Sequence, residues 1–108
     1  MNQGDVYRHT FLAPDKRRPV LILTRNSVIP FLNSVTVAPL TSPTRGIPSE
    51  APLGPAEGGV RAGRVVNVDN VQTIRKAGLG THITHLSLER MREVRAAVEF
   101  APGFDALT

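Results

Sequence analysis

The chain of 108 residues contains no cysteine, which removes disulfides, thiol nucleophiles and cysteine-ligated metals from consideration. Tryptophan is also absent, and one tyrosine and four phenylalanines are the whole aromatic complement. Non-specific single-strand binding on aromatic platforms is therefore a poor description of it. No run of 18 apolar residues occurs, so no membrane-spanning helix is expected. Met1-Asn2-Gln3-Gly4-Asp5 lacks a basic segment followed by an apolar one, so no signal peptide is expected either. Together with the lack of cysteine, this makes the cytoplasm the expected location.

Motifs of common enzyme classes are missing too. His82 and His85 stand three apart without a His-Glu-x-x-His pattern or a carboxylate partner, and read as surface or helix-entry residues. No metal or other cofactor is expected. Glycines 54, 58, 59 and 63 are not followed by a helix or by Gly-Lys-Ser/Thr, so they do not form a phosphate-binding loop. Thr41 and Ser42 lack the Gly-x-Ser-x-Gly setting of a hydrolase nucleophile.

What is present is positive charge, unevenly spread. The net charge is +4, with ten Lys/Arg against five Asp/Glu in residues 1–76 and three against four in residues 77–108. Such a surface fits an anionic partner, nucleic acid above all, with binding that weakens as salt rises. The charge is densest at Lys16-Arg17-Arg18-Pro19, directly before Val20-Leu21-Ile22-Leu23. Pro19 biases Arg18 toward extended geometry at the edge of a buried strand, and a planar guanidinium held there is suited to a phosphate. The alternative is an exposed basic loop.

Hydrophobic content of 41% and charged content of 20% are those of an ordinary globule, and the length fits a single domain, 1–108. Residues 4–11 read as a first strand, with Tyr7, His9 and Phe11 on one face. Val20 to Thr24 is a second, buried on both faces. Phe31-Leu32 is expected to fold inward. Val35 to Ser42 is a third strand, whose Pro39 argues for an edge or a bulge that would re-aim Thr41 and Ser42. Residues 47–53, broken by Pro48 and Pro52, form an edge strand or extended loop. Arg64 to Ile74 divides into two short strands hinged at Asp69-Asn70. Ser87 caps a helix over about 87–100, with Leu88, Met91, Val94 and Val98 on one face and Pro102-Gly103 ending it. Five or six short strands and a terminal helix define a mainly β, α+β fold, a small curved sheet or barrel.

His9 is a candidate general base if it reaches the Arg17-Arg18 edge, although burial or plain exposure would also explain it. Asp69 either caps a turn or presents a carboxylate at a cleft.

Taken in order, Gly4-Asp5-Val6-Tyr7, Arg17-Arg18-Pro19-Val20-Leu21-Ile22-Leu23, Val35 to Ser42, Val65 to Ile74 and the closing helix resemble the MazF/PemK (Kid) family of toxin endoribonucleases. The resemblance spans nearly the whole chain. It implies a compact SH3-like barrel, of the kind shared by MazF and CcdB, usually as a homodimer. It also implies metal-independent, sequence-selective cleavage of single-stranded RNA, mRNA in particular. The 2′-hydroxyl attacks the adjacent phosphate, leaving 2′,3′-cyclic phosphate and 5′-hydroxyl ends. A cognate antitoxin whose tail lies over the RNA groove completes the expected partners.

Carried onto this sequence, Arg18 and Thr41 match the catalytic arginine and threonine. Arg18 would neutralise charge on the phosphorane-like transition state, and Thr41, with Ser42, would hold a nonbridging oxygen. Asp69 matches an acid that contacts substrate or moves a proton, and Lys16, Arg17, Asn67 and Asn70 are expected along the RNA. Two departures stand out. The segment from Leu12 to Arg17 is short, with Asp15 its only acid, and Asn67 replaces an arginine of Kid-like members. A CcdB-like gyrase inhibitor without enzymatic activity, or a catalytically weakened RNA-binding barrel, are the alternative readings.

Overall fold

The computed structural model describes residues 1–10, 17–42, 48–54, 58–60 and 63–100. Seven strands form one curved antiparallel array: β1 (Asp5–Thr10), β2 (Arg17–Ile22), β3 (Ser34–Thr41), β4 (Glu50–Pro52), β5 (Val65–Asn67), β6 (Gln72–Arg75) and β7 (Leu79–His85). Helix α1 (Leu88–Phe100) follows. The spatial order is β4-β5-β3-β2-β1-β7, with β6 also paired to β3.

The unbroken apolar run of β2 has a direct cause. Its position between β1 and β3 leaves two faces to cover, and Val20, Leu21 and Ile22 are all fully buried. Leu21 joins one cluster with Val6, Ala38, Leu40 and Val66, closed by Val94 and Ala97 of α1. Val20 and Ile22 join a second with Val35, Val37 and Ile29, flanked by Tyr7, Ile74 and Leu79. Each such Val, Leu or Ile side chain contributes about 1.5–3 kcal/mol by leaving water.

Pro39 does not mark an edge. β3 is central, with Val20 opposite Pro39 on β2. On its other side, β3 pairs β6 from Ser34 to Val37 and β5 at Leu40 and Thr41. The Leu23 N–H bonds the Thr36 carbonyl of β3. By the antiparallel alternation, the missing N–H of Pro39 then faces the gap where β3 exchanges β6 for β5. Proline is tolerated because no ladder donor is needed there.

Three further expectations are corrected. Phe31 is 85% exposed and Leu32 is exposed as well, because the 3-10 turn over Ile29–Phe31 turns Ile29 inward instead. The sheet has a strand more than the five or six expected, because His82 and His85 belong to β7 rather than to a helix entry. The helix stripe is also only partly buried. Val94 and Ala97 enter the core, while Leu88, 69% exposed, and Val98 face a groove of about 870 Å³ shared with Leu23, Val28 and Val71.

Other expectations agree with the structure. β4 is a short edge strand, and β5 and β6 are separated by a 3-10 turn over Val68–Asn70. The Ser87 hydroxyl accepts the Arg90 N–H at 3.1 Å, capping α1. Arg90 then clamps the helix to β4 by donating to the Pro52 carbonyl at 3.0 Å. Pro102-Gly103 lies outside the described residues.

Candidate active site

Side chains alternate along a strand, and pairs in register share a face. On β1, His9 lies on the face of Tyr7; on β2, Arg18 lies on that of Val20 and Ile22; on β3, Thr41 lies on that of Val35 and Val37. His9 is directly opposite Arg18. The last pair of β2 with β3 is Val20 with Pro39; two residues beyond it on each strand lie Arg18 and Thr41, where β3 pairs β5 on its other side. The sheet pairs His9 with Arg18 on the face of the second apolar cluster, and Thr41 follows on that same face of β3, beyond its last pair with β2.

Arg18 is half-buried, whereas Arg17, one residue earlier and on the opposite face, is exposed. Thr41 carries the most informative atom: its Oγ1 is buried and has no hydrogen-bond partner among the described residues. A lone buried hydroxyl costs stability unless something completes it. At a strand end beside an arginine, an anionic oxygen is the natural complement. His9 is partly buried, and its Nδ1–H donates to the Gly78 carbonyl at 3.1 Å, which orients the ring.

The remaining predicted residues divide. Ser42 is exposed and accepts a hydrogen bond from Arg64 Nη1 at 3.3 Å. Asn67 is buried, and its Oδ1 accepts the Asp69 N–H at 3.1 Å, so it caps the turn leading out of β5. The Asp69 carboxylate accepts the Ser49 hydroxyl at 2.6 Å, Ser49 itself being buried. Asp69 sits in the turn that Asn67 caps, and its carboxylate is held at an exposed position. Asn70 is exposed at the end of the same turn. Lys16 lies outside the described residues.

Sequence reasoning missed a polar cluster at the other end of β1. The buried Asp5 Oδ1 accepts from His85 Nδ1 at 2.9 Å and from His82 Nε2 at 3.2 Å, while Oδ2 accepts the Asn2 N–H at 2.7 Å. Residues three apart normally point to opposite faces. Here β7 holds an extra residue between the partners of Val6 and Tyr7, so both rings reach Asp5. The His82 ring also meets Tyr7 edge-on, centroids 5.2 Å apart. Burial is the largest influence on the Asp5 carboxyl and raises its pKa. The hydrogen bonds from His85, Asn2 and His82, with the His82 charge, outweigh it and leave the net shift downward. Desolvation, then the Asp5 charge, push the Tyr7 phenol up. These nitrogens are engaged with the carboxylate, and among the described residues no group of three His, Asp or Glu is arranged to hold a metal ion.

A curved antiparallel sheet with one terminal helix, carrying an arginine and a hydroxyl unpartnered among the described residues at strand ends of one face, defines a class of small mainly β domain. Comparison with known proteins narrows the class. A family model described as the PemK-like, MazF-like toxin of type II toxin-antitoxin systems matches residues 2–101. Endoribonuclease MazF3 of Mycobacterium tuberculosis is 50% identical over 72 residues, 67% of this chain and 69% of its own length. Probable endoribonuclease MazF2 of the same species is 37% identical over 104 residues, 95% of this chain and 99% of its own. Among solved structures, an endoribonuclease in complex with its cognate antitoxin from a mycobacterial species superposes with a TM-score of 0.85 at 28% identity, covering 96% of both chains. The M. tuberculosis toxin MazF-mt6 does so with a TM-score of 0.79 at 38% identity, over 90% of this chain and 94% of its own. The chain belongs to the PemK/MazF toxin family.

Proposed function

We propose that Arg18 and Thr41 form the centre at which this toxin cleaves single-stranded RNA. The chain is a toxin-antitoxin endoribonuclease, as its curated relatives are. The observation that carries the site is the buried Thr41 Oγ1, unpartnered among the described residues, just beyond the last pair of β3 with the arginine-bearing strand β2. Its O–H donates to a nonbridging phosphate oxygen, while the Arg18 guanidinium balances the charge that grows as the phosphorus becomes five-coordinate. The ribose 2′-oxygen loses its proton and bonds to phosphorus. The bond from phosphorus to the 5′-oxygen breaks, and that oxygen takes up a proton. The products are a 2′,3′-cyclic phosphate and a 5′-hydroxyl. His9, opposite Arg18, and Asp69, held by Ser49, are the side chains through which these protons pass. Lys16, Ser42 and Asn70 extend the RNA contact, whereas Asn67 is buried in its cap and Arg17 lies on the opposite face, and neither takes part.

The whole chain, 1–108, acts as one toxin domain in the cytoplasm, where mRNA is its substrate. It pairs as a homodimer and is silenced by an antitoxin whose tail lies over the RNA groove. Sedimentation at micromolar concentration should give a dimer; a single monomeric species would remove that part of the reading. The catalytic part is tested with a long single-stranded RNA in EDTA, wild type beside Arg18→Ala, with end-group analysis. Cyclic phosphate and 5′-hydroxyl ends that disappear with Arg18 are expected, a loss of about a hundredfold or more. Cleavage that persists undiminished in Arg18→Ala would overturn the assignment.

A further inference from the structure

We propose that Lys76 is a positioning residue for cleavage: it pins the turn whose Gly78 carbonyl fixes the His9 ring, so that His9 exchanges protons at Nε2. The proposal rests on the reading of His9 as a proton-transfer group at the centre formed by Arg18 and Thr41. A 3-10 turn over Lys76–Gly78 joins β6 to β7. The Leu79 N–H returns to the Lys76 carbonyl, and no side-chain bond caps the entry at Arg75. A turn this short has few bonds of its own and takes its position from what holds it.

Lys76 holds it at two points. Its backbone N–H donates to the Asn33 carbonyl at 2.9 Å, and its Nζ donates to the Ile29 carbonyl at 2.9 Å. Both acceptors lie in the segment that runs from the 3-10 turn over Ile29–Phe31 into β3. That segment is itself anchored, because Ile29 packs into the second apolar cluster with Val20, Ile22, Val35 and Val37. The donor is a partly buried ammonium, and a charged donor makes a stronger bond than a neutral one.

The far end of the turn meets His9. Leu79 opens β7 opposite His9, which sets Gly78 beside that ring. A first side-chain carbon on Gly78 would stand 3.6 Å from His9 Cε1, so the imidazole lies against the turn. The Nδ1 is 3.1 Å from the Gly78 carbonyl oxygen. A carbonyl only accepts, so Nδ1 carries a hydrogen whether the ring is neutral or charged. Proton gain and loss therefore fall to Nε2. The ring cannot exchange tautomers without breaking this bond, which gives its basic nitrogen one place relative to Arg18, the partner of His9 on β2. Holding a reacting atom to within about an ångström is worth up to about a hundredfold in rate.

The test joins nitrogen NMR of the full chain, labelled at histidine, to single-turnover cleavage of an RNA whose cut site has been mapped with the wild type. The His9 signals are identified by their loss in His9→Gln. In mildly alkaline solution the wild-type ring should carry its hydrogen on Nδ1 alone; a hydrogen on Nε2 would overturn the proposal without reliance on any variant. Lys76→Met keeps most of the aliphatic stem and removes the donor. It should mix the two tautomers and slow cleavage about tenfold at saturating RNA, with RNA affinity unchanged. Lys76→Arg, which keeps a charged donor, should restore most of both. In the His9→Gln background, Lys76→Met should slow cleavage no further. An unaltered tautomer in Lys76→Met, or an equal slowing with and without the His9 ring, would overturn the proposal and leave Lys76 a part of the fold. Full cleavage by His9→Gln would overturn it as well, while the reading of Arg18 and Thr41 would still be decided separately by Arg18→Ala.

Discussion

At the scale of single residues, function and stability pull Thr41 in opposite directions. A buried hydroxyl without a partner is a cost to the folded state, of roughly 1–3 kcal/mol where no bond completes it. Thr41→Val keeps the shape and deletes that oxygen. The variant should be more stable by about 1 kcal/mol in urea denaturation, yet cleave RNA about a hundredfold more slowly. A midpoint that falls together with activity would show that Thr41 supports the fold instead. Thr41 and Arg18 were legible as candidates from the strand-end pattern, the arginine before Pro19 and the two hydroxyls after Leu40. The missing hydrogen bond was not, because satisfaction of a polar atom depends on every element around it.

At the scale of elements, local signals were reliable where local physics decides. Ser87 was readable as a helix cap and does accept the Arg90 N–H. Ser87→Ala should cost about 1 kcal/mol in denaturant unfolding. A loss within error would mean that the tie from Arg90 to the Pro52 carbonyl, not the cap, holds the helix entry. Elements shaped by non-local pairing were less legible. β7 has the sequence Leu79-Gly80-Thr81-His82-Ile83-Thr84-His85, with two extra residues relative to β1, which spoils the period-two alternation by which strands are recognised. Pro39 misled in the other direction. A proline argues for an edge, yet a central strand can hold one where it changes partners and no donor is required.

At the scale of the whole molecule, one edge of the sheet is held by charge. Asp5 links the amino-terminal segment to β7 through Asn2, His82 and His85. Its folded pKa is lowered from the ordinary 3.8, so the stability it supplies is complete above that value and is lost as pH falls through the lower folded pKa. Urea midpoints of wild type and Asp5→Asn should therefore differ near neutrality, and the gap should close in acid below the ordinary value. A gap that is constant across that range would mean that Asp5 acts by shape rather than by charge.

Composition alone determined that this protein would have no thiol chemistry and would carry its excess charge in the first two thirds of the chain. Periodicity and punctuation determined a mainly β fold closed by a capped helix, since a two-face apolar run such as Val20-Leu21-Ile22 has few ways to be covered. The ordered segments were enough to place it beside the toxin family to which it belongs. Only the tertiary structure decided the rest. That His9 lies opposite Arg18, that β3 turns from β6 to β5 at Pro39 and that Thr41 Oγ1 has no partner among the described residues are facts of register and burial. Register joins residues many positions apart through backbone hydrogen bonds, and burial sums contributions from every strand. Neither quantity is stored in any short stretch of the chain.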